Sequence, residues 1–193
     1  MKRNLQKYSQ ILESLHEGIW IIDRNARTTF VNSRMAEMLG YSVDEMLGKP
    51  IFSFMDEYNA ELASRSLARR KYGIKEQLER QLLRKDGTPL YALIEASPMY
   101  DDEGNYAGAI AGVVDITERK RLEQSLQESE ERYRDLSENA NDLIQSVTPD
   151  GRFLYVNKMW RETLAYSEEE VADLTRWDII HLDSIPDWIE AFQ

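Results

Sequence analysis

The protein has 193 residues, 42% hydrophobic and 31% charged, with no apolar run long enough to cross a bilayer, so we expect a soluble cytoplasmic protein without a membrane segment. Because the chain contains no cysteine, it can form no disulfide, use no thiolate nucleophile and bind no metal through sulfur. The net charge of −11 lies mostly in residues 121–193, where 7 Lys and Arg accompany 17 Asp and Glu, and we expect no nucleic acid as a partner.

The first elements form a helix, a hairpin and two capped helices. Residues 1–17 are predicted to hold an amphipathic helix, because Leu5, Tyr8, Leu12 and Leu15 recur at helical spacing. Gly18 to Asp23 and Arg27 to Val31 are predicted strands joined by a polar turn. Asn32 caps one short helix, and Ser42 with Glu45 forms a capping box for the next.

A longer helix and three strands follow. The helix from Tyr58 to Tyr72 is predicted to turn Leu62 and Leu67 inward and its basic residues outward, namely Arg65, Arg69, Arg70 and Lys71. Glycine turns separate strands at Gln77–Arg84, Thr88–Met99 and Tyr106–Ile116. The second of these strands is predicted to carry four residues on one face: Leu90, Ala92, Ile94 and Ala96. This order of elements, with two strands followed by helices and then three strands, predicts an α+β fold. In such a fold the helices cover one face of an antiparallel sheet.

A charged helix is predicted after Asp115, which caps it, and it extends to about Ala140. Apolar residues recur along it at heptad spacing, at Leu122, Leu126, Tyr133 and Leu136, with Ser129 between them. This spacing is typical of a short parallel coiled coil between two copies of the chain. A linker helix that lies on its own domain is an equal alternative.

The chain then repeats itself. Residues 8–48 align with residues 133–173 at a constant offset of 125, so the same unit is used twice. Identical pairs include Tyr8 with Tyr133, Asn32 with Asn157, Ser42 with Ser167 and Glu45 with Glu170. Because only half of the second copy is present, we expect residues 133–193 to be unstable on their own or to depend on contacts with a neighbour.

Several motifs together resemble a PAS domain of the S-box type: Gly18-Ile-Trp-Ile-Ile-Asp23, Phe30-Val-Asn32, Leu39-Gly-Tyr-Ser42, Lys85-Asp-Gly87 and Asp115-Ile-Thr-Glu-Arg119. The resemblance implies a five-stranded antiparallel sheet with helices on one face. It divides the chain into an N-terminal helix (1–17), a PAS domain (18–116), a helical linker (117–136) and the N-terminal half of a second PAS domain (137–193). Such domains sense and dimerise upstream of enzymes such as histidine kinases. Here Asp115, Thr117 and Arg119 would relay the signal to an output domain or partner kinase.

The resemblance also bears on cofactors. A flavin-adduct photosensor of this family needs a cysteine, which this chain lacks, and the long helix has no histidine for haem. We therefore expect no cofactor and no metal, although Trp20 could stack on a non-covalent flavin. A pocket between sheet and helices would be lined by Trp20, Ile22, Met35, Met38, Leu39, Met46, Phe52, Phe54, Leu62 and Leu93, with Glu95 as its polar group. Arg65 or Arg69 could bind an anion if turned inward. The same apolar residues would otherwise form an ordinary core.

No phosphate loop or catalytic constellation is visible, so we expect no enzymatic activity in this chain. Two hypotheses remain. In the first, the chain is a sensory input region, in which a small ligand or a redox change biases the helix after Asp115. In the second, it is a ligand-free dimerisation and spacer module. A homodimer would form through Leu5, Tyr8 and Leu12, or through Leu122, Leu126 and Tyr133.

Overall fold

The structure, a computed structural model, describes residues 16–179, so the predicted N-terminal helix with Leu5, Tyr8 and Leu12 lies outside the described residues. The chain divides into two compact units, residues 1–123 and 124–193, named here the first and second units. No helix in residues 16–179 is long and apolar enough to cross a membrane.

The first unit contains a five-stranded antiparallel sheet. Its strands are β1 (Gly18–Asp23), β2 (Thr28–Val31), β3 (Glu76–Leu83), β4 (Pro89–Tyr100) and β5 (Tyr106–Asp115), in the spatial order β2-β1-β5-β4-β3. The central pair is β1 and β5, which align Trp20 with Ala111 and Ile22 with Ala109. The predicted fold class and hairpin are therefore confirmed, with strand ends at most one residue from the expected positions.

The helices of the first unit lie between β2 and β3 in the sequence. They are α1 (Ser33–Leu39), α2 (Val43–Met46), a short 3-10 helix (Ile51–Phe54) and α3 (Glu57–Arg70). Asn32 caps α1 and Ser42 forms the predicted capping box with Glu45. Their buried apolar residues pack with β1 and β4 into one core that includes Trp20, Ile22, Met35, Leu39, Phe54, Leu82 and Leu90.

Helix α4 (Thr117–Glu138) follows β5 and runs across the boundary between the two units. The second unit then repeats the hairpin with β6 (Gln145–Val147) and β7 (Phe153–Val156), and continues with α5 (Lys158–Leu164), α6 (Glu168–Asp173) and α7 (Arg176–Ile179). Among residues 124–179, its buried apolar core consists of Val156, Trp160 and Val171.

Candidate functional site

A cavity of about 70 Å³ lies in the first unit, between α3 and the inner face of the sheet. Its wall is mostly apolar and comes from all of the strands except β2, and from α3 and its preceding turn. The apolar lining consists of Trp20, Ile22, Ile51, Met55, Ala63, Leu78, Leu82, Ile94, Ala96, Ala109, Ala111 and Val113. A volume of this size accommodates about five water-sized spheres.

Small side chains explain why space remains here. Ala109 and Ala111 on β5 face the cavity beside Ala96 on β4, and Ala63 on α3 lies on the helical side. Each alanine reaches only as far as its Cβ atom, whereas leucine or isoleucine would project into the space. The sequence prediction did not assign these alanines to a pocket, because alanine is also an ordinary residue of helices and buried strands.

Arg70 is the main correction to the sequence prediction. We expected Arg70 to face water with its basic neighbours, but only 7% of its surface is exposed and it lines the cavity. Residues three or four apart share a helix face, and Arg70 therefore follows Ser66, Leu67 and Ala63 on the inward side of α3. Its position relative to Leu67 was the available signal. Its Nε atom is buried and has no hydrogen-bond partner among the described residues.

The charges near Arg70 are predominantly positive. Glu76 is 3.8 Å from an Nη atom of Arg70, but it binds Arg69 more closely, through Nε at 2.7 Å. Arg80 on β3 also lines the cavity and donates to the backbone carbonyl of Glu79 at 3.1 Å. Burial lowers the pKa of Arg70 below its usual value, and the charge of Glu76 partly offsets this effect. An arginine so placed stays protonated at neutral pH.

Of the residues predicted to line a pocket, the structure brings Trp20 and Ile22 to this cavity. Met35, Met38, Leu39, Met46 and Phe54 are buried in the core beside it, without lining it. Trp20 packs edge-on against Phe54, with ring centroids 5.2 Å apart, and its Nε1 atom donates to Thr28 Oγ1 at 3.0 Å. Stacking of a non-covalent flavin on Trp20 stays a hypothesis.

The remaining predicted pocket residues lie elsewhere. Phe52 borders a separate surface recess, and Leu62 is half-buried away from the cavity lining. Leu93 and Glu95 are wrong predictions, because side chains alternate along a strand and these two lie on the opposite face of β4 from Ile94 and Ala96. Glu95 is exposed, so it is not a buried carboxylate. Arg65 and Arg69, the predicted anion ligands, are exposed on α3, where Arg65 pairs with Glu61.

The joint between β5 and α4 is held by hydrogen bonds to the neighbouring strand β4. Asp115 Oδ1 accepts from the backbone amide of Thr117, the first residue of α4, at 2.8 Å. Thr117 Oγ1 accepts from the amide of Tyr91 at 3.0 Å, and the amide of Ile116 donates to the carbonyl of Tyr91 at 2.8 Å. The first turn of α4 is thereby attached to β4, the strand that carries Ala96 and Ile94.

Arg84, which the sequence prediction missed, connects this joint to helix α1. Its guanidinium donates to the carbonyl of Met38 in α1 and to Asp115 Oδ2, the latter at 3.1 Å. Burial by itself would raise the pKa of Asp115, but hydrogen bonds from Thr117 and Arg84 outweigh it and hold that pKa below its usual value. Arg119 and Lys120 add ion pairs from α4 to Glu79 on β3.

The predicted dimer residues of α4 are exposed, with Leu122, Leu126, Tyr133 and Leu136 each 62–70% accessible. Their pairing with a second copy stays a prediction. The same is true of the relay role of Asp115, Thr117 and Arg119. Within residues 16–179, no three His, Cys, Asp or Glu side chains cluster in a way that could hold a metal ion.

Two known family models match this chain. The family model described as PAS fold matches residues 6–116, more than half of the chain. The chain belongs to the PAS family. A second model, described as PAS domain, matches residues 131–193, in agreement with the internal repeat.

The relatives of this PAS protein include sensor kinases of Bacillus subtilis (strain 168). Sporulation kinase A is 30% identical over 153 residues, which cover 78% of this chain and 25% of the kinase. Sporulation kinase C is 26% identical over 149 residues, covering 68% of this chain and 32% of the kinase. The chain thus spans between a quarter and a third of these relatives and resembles the input regions of sensor kinases.

Solved structures support the fold. The PAS domain of an HTR-like protein from Haloarcula marismortui matches with a TM-score of 0.53 and 22% identity, covering 60% of this chain and 93% of that domain. At this identity, the likeness establishes the PAS fold and nothing about the ligand or the output.

Proposed function

We propose that this chain is the sensory input region of a cytoplasmic signalling protein, in which a small ligand or a redox change at the first PAS domain is relayed through the helix after Asp115. The receiver is an output domain outside this sequence, such as a histidine kinase. The kinase relatives, of which this chain spans only a part, support an output of that kind.

The observation that carries the proposal is the short path from the cavity to the joint. Ala96 and Ile94 of β4 line the cavity, and Tyr91 of the same strand holds both Ile116 and Thr117 through its backbone. A ligand that shifts β4 relative to α3 therefore acts on the first turn of α4. Arg84 adds a second route, because it bridges α1 and Asp115. Packed elements can have two discrete arrangements, and a shift of β4 would favour one arrangement of α4 over the other.

A second candidate function is a ligand-free dimerisation and spacer module. The exposed heptad row of α4 favours it, because large apolar side chains at this spacing are typical of a helix that pairs with a second copy. The two functions are compatible in one molecule. They differ in whether the cavity is ever occupied.

Native mass spectrometry of the full chain tests the sensory proposal. We expect an added mass that disappears on denaturation, and its loss in A111L, where the larger side chain fills the cavity. Hydrogen exchange of residues 117–123 should then differ between the loaded and the emptied protein. Val114→Leu, on the opposite and exposed face of β5, is the matched control. If the protein purified under several growth conditions carries no added mass, the spacer function is favoured.

The dimer requires a separate experiment. Replacing both Leu122 and Leu126 with Asp places like charges in the predicted seam, and we expect a change from dimer to monomer in analytical ultracentrifugation. Glu123→Asp and Gln127→Asp, on neighbouring faces of α4, form the control. An unchanged sedimentation coefficient in L122D/L126D would exclude this seam as the interface.

A further inference from the structure

The polar end of the cavity is cationic. The polar side chains in its lining are Ser66, Arg70 and Arg80, so among the described residues the lining includes no carboxylate. Glu76, the acidic residue paired with Arg70, is shared with Arg69. Arg70 and Arg80 in the lining and Arg69 beside it thus accompany one acidic residue, Glu76. Positive charge therefore remains at this end of an otherwise apolar cavity.

Arg70 also retains an unused donor. A buried polar group without a partner destabilises a protein, and most such groups are paired in folded proteins. The Nε atom of Arg70 is shielded from solvent and has no hydrogen-bond partner among residues 16–179, and the same is true of Glu76 Oε2. This oxygen is 3.8 Å from an Nη atom of Arg70, beyond ordinary hydrogen-bond length. Guanidinium presents Nε and one Nη as a planar fork that matches the two oxygens of a carboxylate.

We infer that the cavity binds a small monocarboxylate, whose carboxylate pairs with Arg70 and whose short hydrocarbon chain occupies the alanine-lined space. This inference rests on the proposed sensory function and specifies its ligand class. Ser66 adds a hydroxyl donor at the same end, and Arg80 adds charge. The hydrocarbon chain of the ligand would contact Ala96, Ala109 and Ala111, whose side chains form no hydrogen bonds.

The volume limits the length of the ligand. About 70 Å³ is small for a ligand site, so the expected ligand is a short carboxylate with about four to six non-hydrogen atoms. Acetate, propionate and butyrate cover that range. Acetamide, propionamide and butyramide have the same size and shape without the charge, and are therefore matched neutral probes.

The test is a titration of the full chain, labelled with ¹⁵N, with these six probes at constant ionic strength set by sodium chloride. The readout is the side-chain Nε–H resonance of Arg70, assigned by its loss in R70M. We expect at least one carboxylate to shift this resonance saturably, and the amide of the same length to bind at least about tenfold more weakly. R70M should weaken carboxylate binding by a similar factor. R65M, at an exposed position of the same helix, should leave it unchanged.

The outcomes separate this inference from the sensory function. If an amide binds as tightly as its carboxylate, or R70M binds the carboxylate like the wild type, the ligand class is wrong while the cavity remains a ligand site. If none of the six probes shifts Arg70, the monocarboxylate assignment fails, and native mass spectrometry decides on the sensory function independently. Because the carboxylate–amide comparison uses wild-type protein, it decides the inference even if R70M fails to fold.

Discussion

The two copies of the hairpin and its following helix show how much of their structure is local. In the first unit, Asn32 Oδ1 accepts from the amides of Ile19 and Met35 at 2.9 and 3.0 Å. In the second unit, Asn157 Oδ1 accepts from the amides of Ile144 and Trp160 at 3.0 and 3.1 Å. One asparagine thus joins a strand to a helix N-terminus in both units, although their remaining cores differ.

The two units have a positive backbone φ at equivalent positions, although the residues at these positions differ. Ala26 and Gly151, 125 residues apart, both have a positive φ, of 61° and 91°. Gly40 and Ala165 form a second such pair, with φ values of 73° and 59°. Each unit therefore places one alanine in a conformation that favours glycine, which shows that the backbone path is retained even where the residue is unfavourable.

The units differ in what covers the hairpin. Trp20 on β1 is buried against Phe54, whereas its equivalent Gln145 on β6 is exposed and accepts from Trp160 Nε1 at 2.8 Å. The capping boxes differ as well. Lys85 donates to Glu45 in the first unit, and together with the amide of Ser42 it lowers the pKa of Glu45 to about 2. These differences show that local motifs shape the hairpin, while distant strands decide its burial.

Limited proteolysis should give the largest contrast between the units. We expect a fragment containing residues 18–116 to persist while residues 139–179 are cut, because the second unit buries few apolar side chains within the described residues. The fragments are identified by mass spectrometry. A resistant fragment that spans residues 139–179 would contradict the expected contrast.

Asn32→Ala and Asn157→Ala form a matched pair. Each removes a buried side chain and leaves backbone groups without partners, so we expect each to cost about 2–4 kcal/mol of unfolding free energy in its own unit. Urea denaturation, followed by resolved NMR signals from each unit, measures both. N157A should unfold the second unit at urea concentrations that leave the first unit folded. Loss of both units together would show that they are not independent.

Asp115→Asn tests the hydrogen bonds of Asp115 with Arg84 and Thr117 in the first unit. The folded pKa of Asp115 is lowered, so its charged form stabilises the fold above the unfolded pKa of about 4, and this contribution is lost as pH falls through the folded pKa. We expect D115N to lower the unfolding free energy by about 1–2 kcal/mol at pH 7, with the difference vanishing in acid. Urea melts at pH 7 and pH 3 measure it. Asp102→Asn, in the exposed turn before β5, should change neither.

The smallest effect is expected at the strained pair. Ala165→Gly should stabilise the second unit by about 0.5–1 kcal/mol, because glycine adopts the positive φ without strain. Gly40→Ala should destabilise the first unit by a similar amount, because alanine is strained at the φ of 73°. The Cβ atom itself would meet its nearest neighbour at an ordinary 3.7 Å, so strain is the only expected cost. Thermal melts of each variant show the sign. A destabilising A165G would mean that strain at this position is not the dominant effect.

Local patterns predicted much of this structure. The capping box at Ser42 and Glu45, the cap at Asn32 and the alternation of Leu90, Ala92, Ile94 and Ala96 depend on residues close in sequence, and the structure agrees. The same alternation excludes Leu93 and Glu95 from the cavity. The prediction erred there because it selected residues by chemical type without applying the period of the strand.

The polar end of the site was not predictable in the same way. Helical spacing places Arg70 on the face of Leu67, but a run of basic residues at the end of α3 usually faces water, so its burial depends on how α3 rests on β3. Arg84 likewise joins Met38 to Asp115, positions 46 and 31 residues away in the chain. Contacts at such separations leave no periodic signal in one sequence.

The sequence by itself determined the repeat, the hairpins, the caps and the five-strand order of elements, because each depends on backbone preferences and periodicities within a few residues. Only the tertiary structure decided that the alanines of β4 and β5 lie opposite Ala63, that Arg70 lies at the end of the resulting space, and that Tyr91 holds the start of α4. The physical reason is that packing of α3 on the sheet brings together side chains that are far apart in the sequence, and no local periodicity specifies such contacts.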